Sequence, residues 1–421
     1  MATLKVSNFG PLRELEWEIK DYNIFIGPQA AGKSTVAKLA YYFLSVKERM
    51  IGHLVGITAY PLDVEEKMQS VTKELKRMFV ELFGPTKRMS TFRISYSYGE
   101  KISIDITLAE GYPEVHFSDE LSRAFRNILR KQSDGRDERP KMRGRVYSEL
   151  FSSLEKELNA VFREENRTAI YVPAGRGFLT CFVPNLVSKL PESTLTLFTN
   201  RMALTQPLFN QSFEEIIRDR KNLSSSKIDE ESLAHVTALA RKILKGEYRY
   251  GPEESRLYYK ETEYVTLPYA SSGQQEALWI VQLIFSLILD NTQTTLLIEE
   301  PEAHLFPETQ ADMVRLISLF AGLNGNRVIL TTHSPYILST ANYLLYAAKT
   351  GAKYPEKVNE TVPSCYWIDY DRMGVWYVDK GGIESLMEDD IRQIHVERID
   401  EISEKLNKAF DDLLRMDDDE I

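Results

Sequence analysis

Apolar residues recur at strand spacing over Thr3–Phe9 and over residues 15–19. Residues 23–26 form a short apolar run that feeds directly into a glycine-rich turn. From Lys33 to about Val46 the period lengthens to that of a helix, with Val36, Leu39, Ala40 and Phe43 on one face. The opening therefore predicts three strands, a loop and a helix. Residues 92–98 and 101–108 predict a hairpin turning at Gly99 and Glu100. Residues 118–132 and 145–165 read as helices separated by a polar break, and Thr168–Val172 reads as a strand. A helix-rich stretch over 186–244 is expected to form a separate lobe, followed by a second hairpin over 247–267.

The next block is more regular. Helices are predicted over 272–290, 309–323 and 335–346, and strands over 294–300 and Arg327–Thr332. Strands that alternate with helices imply a parallel sheet with crossover helices. Residues 365–379 predict a last hairpin turning at 372–374, and Asp369, Tyr370 and Asp371 ahead of it read as a turn. Ile391, Ile394, Ile399, Ile402, Leu406, Phe410 and Leu413 recur at helical spacing before an acidic end. That stripe can pack on the chain's own core or hold a partner.

Composition narrows the class. With 43% hydrophobic and 27% charged residues, the 421-residue chain reads as an ordinary globular protein of two to three domain-sized units. No apolar run approaches the ~18–20 residues that span a bilayer, and residues 277–289 are too few. The N-terminus carries no apolar secretory segment. Two cysteines, Cys181 and Cys365, exclude a disulfide framework and fit a reducing cytoplasm. The net charge of −10 argues against broad electrostatic binding to nucleic acid. One segment runs the other way: between Arg123 and Arg145, nine basic residues stand against three acidic ones, or +6. Arg136, Arg139, Lys141 and Arg143 are its candidate phosphate contacts, and a solvated helix face is the alternative.

Three motifs carry chemistry. Gly27, Pro28, Gln29, Ala30, Ala31, Gly32, Lys33 and Ser34 fit GxxxxGK[ST], with Thr35 following. Such glycines let backbone N–H groups face a polyphosphate, the lysine ammonium reaches its outer phosphates, and the serine hydroxyl ligates magnesium. The apolar run at 294–298 ends in Glu299, Glu300, Pro301 and Glu302. Ligands gather at the C-terminal ends of parallel strands. Neighbouring side chains on a strand point apart, so Glu299 is assigned to the metal shell and Glu300 to an attacking water. The run at 327–332 delivers His333 in the same way, as a sensor of the terminal phosphate.

Together these motifs resemble the ABC-type ATPases of the SMC/RecF/OLD group, nearest to the stand-alone OLD-like AAA ATPases of bacteria. The opening LKVSNFGPLRELEWEI and NIFIGPQAAGKST, the segment from Ala270 to Glu276, LLIEEPEAHLFP and TTHSPYIL carry the likeness, in order, from Met1 to about Tyr346. The resemblance implies an α/β P-loop ATPase head with a mixed, largely parallel sheet, an antiparallel β portion at its N-terminus and a helical insertion lobe. On that plan the head spans 1–117 and 247–380, the lobe 118–246, and a C-terminal helix and tail 381–421. It implies ATP and Mg²⁺ as cofactors. Glu300 would be the catalytic base, His333 the switch and Lys33 the phosphate lysine. Ser272, Gly273 and Gln274 would face the γ-phosphate of ATP held by a second copy in a head-to-tail dimer. Arg176, in YVPAGR, would lie near the nucleotide. Two positions depart from the family pattern: Glu299 stands where many relatives have aspartate, and Gln274 replaces a glycine of the signature.

OLD proteins often carry a C-terminal nuclease, and the stretch after His333 is too short for one. The resemblance therefore implies a sensor or clamp ATPase that controls a separate nuclease or toxin in bacterial antiphage defence. A RecF-like DNA-repair ATPase and an ATP-binding scaffold with little turnover remain the rival readings.

Overall fold

The computed structural model describes residues 2–57, 60, 62–134, 143–162, 167–181, 194–223, 229–395, 408 and 410. Strands β1 (Thr3–Phe9) and β2 (Leu12–Glu18) pair antiparallel, and β3 (Tyr22–Ile26) leaves them to enter a second sheet. Helix α1 (Lys33–Gly56) continues well past Val46, and α2 (Val64–Phe83) packs beside it. Next come β4 (Arg93–Ser97), β5 (Ser103–Ala109) and β6 (Tyr112–Phe117), then α3 (Asp119–Asp134), α4 (Arg143–Phe162) and β7 (Thr168–Val172).

The first sheet is antiparallel with strand order β2-β1-β4-β5-β6. Its strands alternate: Leu4, Val6, Leu15 and Trp17 are buried, whereas Lys5, Ser7, Glu14 and Glu16 are exposed. One face therefore sits on a core shared with α1 to α4.

Helices α5 (Thr194–Thr205), α6 (Phe213–Leu223) and α7 (Glu230–Leu244) precede β8 (Glu247–Arg249), β9 (Arg256–Tyr258) and β10 (Tyr264–Thr266). These three short strands form an antiparallel sheet where one hairpin was expected, because a turn at 250–255 and another at 259–263 break the run twice. Residues Phe198, Phe213, Val236 and Ile243 of these helices belong to the same core as the second sheet.

Helix α8 (Ser272–Leu289) is buried along almost its whole length. It accounts for the longest apolar run, and no helix among the described residues is long and apolar enough to cross a membrane. Then follow β11 (Thr294–Glu299), α9 (Pro307–Gly322), β12 (Arg327–Thr332), α10 (Pro335–Gly351), α11 (Pro355–Thr361), β13 (Met373–Asp379), β14 (Gly382–Ser385), β15 (Met387–Glu388) and β16 (Gln393–Ile394).

The second sheet has the order β14-β13-β3-β12-β11-β7. All its pairs are parallel except β13–β14. Its central strands β3, β12 and β11 are buried along nearly their whole length because both faces are covered. Phe25, Leu297 and Ile329 point into the core with α1, and Ile24, Leu296 and Leu330 point into the core with α7 to α10. This mixed sheet, the antiparallel sheet beside it and the flanking helices are the α/β architecture expected.

Two local expectations fail. The last hairpin turns at Lys380 and Gly381, not at 372–374: both have positive φ (49° and 85°), and Asp379 faces Gly382 across the turn. Met373 instead starts a strand parallel to β3. Residues 391–395 hold a turn and β16 rather than the start of a helix, and most of the expected C-terminal helix lies outside the described residues. The Asp369–Asp371 stretch is a turn, with the Asp371 amide donating to Asp369 Oδ1 at 3.0 Å and Asp371 paired to Arg392 at 2.8 Å.

Candidate nucleotide site

The site lies where β3, β11 and β12 end together. The loop after β3 reaches α1 through Gly32, whose φ of +112° suits glycine and whose added Cβ would stand 2.8 Å from Leu12. Gly32 offers no side chain to cap the helix, and the first turn of α1 holds no acidic residue. The leading amides of a helix have no carbonyl one turn back to bond, so those of Lys33, Ser34 and Thr35 face outward with the positive end of the helix dipole. Gln29 and Ala30 are exposed at the loop tip, Gly27 and Ala31 half-buried at its sides, and Ser34 is exposed.

Lys33 is buried. Its ammonium donates to the carbonyls of Gly27 (2.8 Å) and Pro28 (2.7 Å) and lies 3.4 Å from His333 Nδ1. An ammonium only donates, so Nδ1 is the acceptor in this contact, which leaves the other ring nitrogen, Nε2, to face away from Lys33. That nitrogen faces Glu300 Oε1 at 3.6 Å. Burial pulls the Lys33 pKa below its ordinary value, and the carboxylates of Glu300 and Glu302 oppose the pull.

Glu299 and Glu300 diverge, as expected, though alternation is only part of the reason. Glu299 ends β11 and is 6% exposed on the sheet face that carries α1, with Oε2 accepting the Ala174 amide at 3.1 Å. The phenol of Tyr171 lies beside it, and burial first, then the Glu299 charge, push the Tyr171 pKa well up. Glu300 lies past the strand end in a left-handed conformation, φ +44°, with its amide bonded to the Thr331 carbonyl at 2.8 Å. A left-handed glutamate is costly, of order 1–2 kcal/mol. The turn it makes leaves the carboxylate partly exposed and beside His333.

Glu302 and Arg176 hold this arrangement. Glu302 accepts the Thr332 hydroxyl at 2.6 Å and the His333 amide at 2.8 Å. Arg176, fully buried, donates to the carbonyls of Glu299 (2.8 Å) and Glu300 (3.0 Å). The sequence alone gave Glu302 no role, and placed Arg176 nearby only through resemblance.

At the start of α8, Ser271 caps the helix, and Gln274 returns the favour to the Ser271 amide at 3.0 Å while donating to the Leu244 carbonyl at 2.7 Å. Gln274 is thus engaged in a capping box. Ser272 is exposed beside it. Gly273 packs against the loop after β11, where an added Cβ would come within 2.6 Å of the His304 carbonyl oxygen. In the basic segment, Arg126 pairs with Glu65 and Lys131 with Glu157, which neutralises part of the charge. Arg136, Arg139 and Lys141 lie outside the described residues, as does the side chain of Arg143.

The residues fit the implied cofactors. An uncapped helix start and a lysine suit a polyphosphate. The hydroxyl of Ser34 with the carboxylate of Glu299 is an oxygen-only donor set suited to Mg²⁺, which keeps several waters and phosphate oxygens. No group of three or more His, Cys, Asp or Glu side chains able to hold a metal occurs among the described residues.

A phosphate loop, an acidic strand end and a histidine strand end on one parallel sheet define a P-loop ATPase head. The AAA ATPase domain family model matches residues 1–156 and 127–338, and the chain belongs to that family. No curated protein matches. Among solved structures, an SMC head bound to the C-winged helix domain of ScpA is 11% identical, with 92% of this chain and 98% of that one covered and a TM-score of 0.44. The SMC head domain from Thermotoga maritima is 11% identical (80% and 90% covered, TM-score 0.35). The recombination mediator protein RecF is 10% identical (91% and 97% covered, TM-score 0.35). Likeness at this level carries no argument about what this chain binds.

Proposed function

We propose that this chain hydrolyses ATP with magnesium and works as a head-to-tail dimeric clamp. The observation that carries the proposal is the line from Lys33 Nζ through His333 to Glu300, at 3.4 and 3.6 Å. Lys33 and the backbone N–H groups of Gly27 and of residues 29–35 hold the polyphosphate. Ser34 and Glu299 would hold the metal, whose charge would offset that of the phosphates. Glu300 takes the proton of an attacking water as the new P–O bond forms at the γ-phosphorus. The bond to the β-phosphate oxygen then breaks, leaving ADP and phosphate. His333 donates through Nε2 toward the terminal phosphate. Ser272 and Gly273 of a second copy meet that phosphate from the other side, so ATP closes two subunits and hydrolysis reopens them.

The resemblance of the motifs to stand-alone OLD-like ATPases supports a setting: control of a separate nuclease or toxin in bacterial antiphage defence, in the cytoplasm. Steady-state ATP hydrolysis, with and without duplex DNA, tests the core of this reading. Turnover lost in both Lys33→Ala and Glu300→Gln supports it, as does ATP-dependent self-association of Glu300→Gln. A folded parent with no turnover and no change of size on ATP addition overturns it. Stimulation by duplex DNA, lost on charge reversal at Arg136, Arg139 and Lys141, would move the assignment to the RecF-like reading.

A further inference from the structure

Arg176 donates to four backbone carbonyls around the site, those of Pro173, Glu276, Glu299 and Glu300. Its Nη1 donates to the carbonyls of Pro173 (3.1 Å) and Glu299 (2.8 Å), and its Nη2 to that of Glu300 (3.0 Å). Its Nε donates to the Glu276 carbonyl at 3.1 Å and lies 3.5 Å from Glu276 Oε2. The other Glu276 oxygen accepts the Gly177 amide at 2.9 Å. Among the described residues, no hydrogen bond or ion pair joins either side chain to the loop that would hold phosphate. The guanidinium is 0% exposed and bridges two elements: the end of β11 and the first turns of α8.

The positions on those elements matter. Glu276 follows Ser272 by one helical turn, so the two lie on one face of α8. Glu300 is held in its left-handed turn by three bonds: its amide to Thr331, its carbonyl to Arg176, and its carbonyl to the Ala303 amide at 3.1 Å. An unfavourable backbone conformation persists only when its surroundings fix it. Gly177 must also come close, since an added Cβ would stand 2.8 Å from Glu276 Oε1. A planar five-donor fork suits such a node in a way an ammonium does not.

We infer that Arg176 and Glu276 form one positioning unit that ties the start of α8 to the backbone of Glu300. Through it, the setting of the catalytic carboxylate in one subunit depends on what presses against Ser272. Neither residue touches the reacting atoms. The dependence on a second copy rests on the proposed function; the tie itself does not. Coupling of this kind is reciprocal in binding, so a fixed Glu300 turn also favours the α8 start that receives a phosphate.

The test uses the full chain with Arg176→Lys, which keeps the charge but loses the fork, and Glu276→Gln, which keeps the Gly177 bond but loses the charge. Hydrogen–deuterium exchange of the nucleotide-free protein reads the tie directly. Arg176→Lys should speed exchange over 299–305 by about tenfold or more and leave 24–40 at the parental rate. ATP hydrolysis should fall about tenfold or more, with ATP affinity within about threefold of the parent. The double variant should be no slower than the worse single one, because the two act as a unit. Parental exchange over 299–305, additive losses, or ATP binding lost along with turnover would each overturn the proposal. Should Arg176→Lys fail to fold, Glu276→Gln carries the same comparison alone. A parent that neither binds nor hydrolyses ATP overturns the proposed function instead, and the exchange over 299–305 still decides the positioning role.

Discussion

The Glu302 carboxylate accepts the His333 amide at 2.8 Å, joining the loop after β11 to the end of β12. The same oxygen accepts the Thr332 hydroxyl at 2.6 Å, while Oε2 is buried with no hydrogen-bond partner among the described residues. Glu302→Ala would strand the buried Thr332 hydroxyl and remove the acceptor of the part-buried His333 amide, which costs about 1–3 kcal/mol. Glu302→Gln keeps one acceptor oxygen and should cost less. Urea unfolding of both variants checks this ranking. An alanine variant as stable as the parent would show that His333 is held by something else.

Glu300→Gln replaces the proton acceptor with a group of the same shape. Positioned acid–base groups contribute about 10²- to 10⁴-fold to rate, so single-turnover hydrolysis should slow by that order. ATP affinity should hold, because Lys33 and the helix start are untouched. Equal losses of affinity and rate would place Glu300 in nucleotide binding rather than in chemistry.

The parts of the site that the sequence revealed are those written in contiguous residues. The phosphate loop after β3, β11 with its two glutamates and β12 with its histidine each combine an apolar run with an abrupt polar end, the pattern of a strand covered on both faces in a parallel sheet. What it hid depends on distant backbone. Arg176 and Glu302 bond carbonyls and amides far along the chain, and no spacing reports that. The parallel pairing of β13 with β3 is hidden for the same reason. Helix α2 is different: Asp63 and Glu66 form a capping box ahead of Met68, Val71, Leu75, Met78 and Phe79, a signal that contiguous residues do carry. Strand β6 is short and carries Pro113 at the edge of its sheet, where strand signals are weakest.

The lowered pKa of Lys33 gives ATP binding a pH dependence. Burial favours the neutral amine, so the nucleotide-free protein loses this positive charge at a lower pH than an ordinary lysine would. The polyphosphate prefers the ammonium, so affinity should be full near neutrality and fall as pH rises through the depressed pKa. Equilibrium binding of a fluorescent ATP analogue from neutral to alkaline pH measures the slope. Lys33→Met should bind more weakly throughout and lose that slope. A slope that survives in Lys33→Met belongs to another group.

Two helical glycines predict opposite outcomes for one substitution. Glycine to alanine inside a helix is ordinarily worth about 0.5–1 kcal/mol in favour of alanine. At Gly322, near the end of α9, an added methyl meets nothing within 4 Å, so Gly322→Ala should leave stability unchanged or raise it. At Gly273 the methyl would meet the His304 carbonyl oxygen at 2.6 Å and its carbon at 3.3 Å. That is backbone rather than the tip of a flexible chain, and His304 itself has a φ of +59°. Overpacking of this kind costs about 1–3 kcal/mol, which exceeds the propensity gain. Gly273→Ala should therefore lower the melting temperature and push the loop after β11 away from α8. Because that loop carries Glu302, the base of His333 shifts with it, and hydrolysis should fall further than ATP binding does. Equal thermal stability of the two variants would mean that α8 and the His304 loop separate at no cost, and that the start of the helix is free to move.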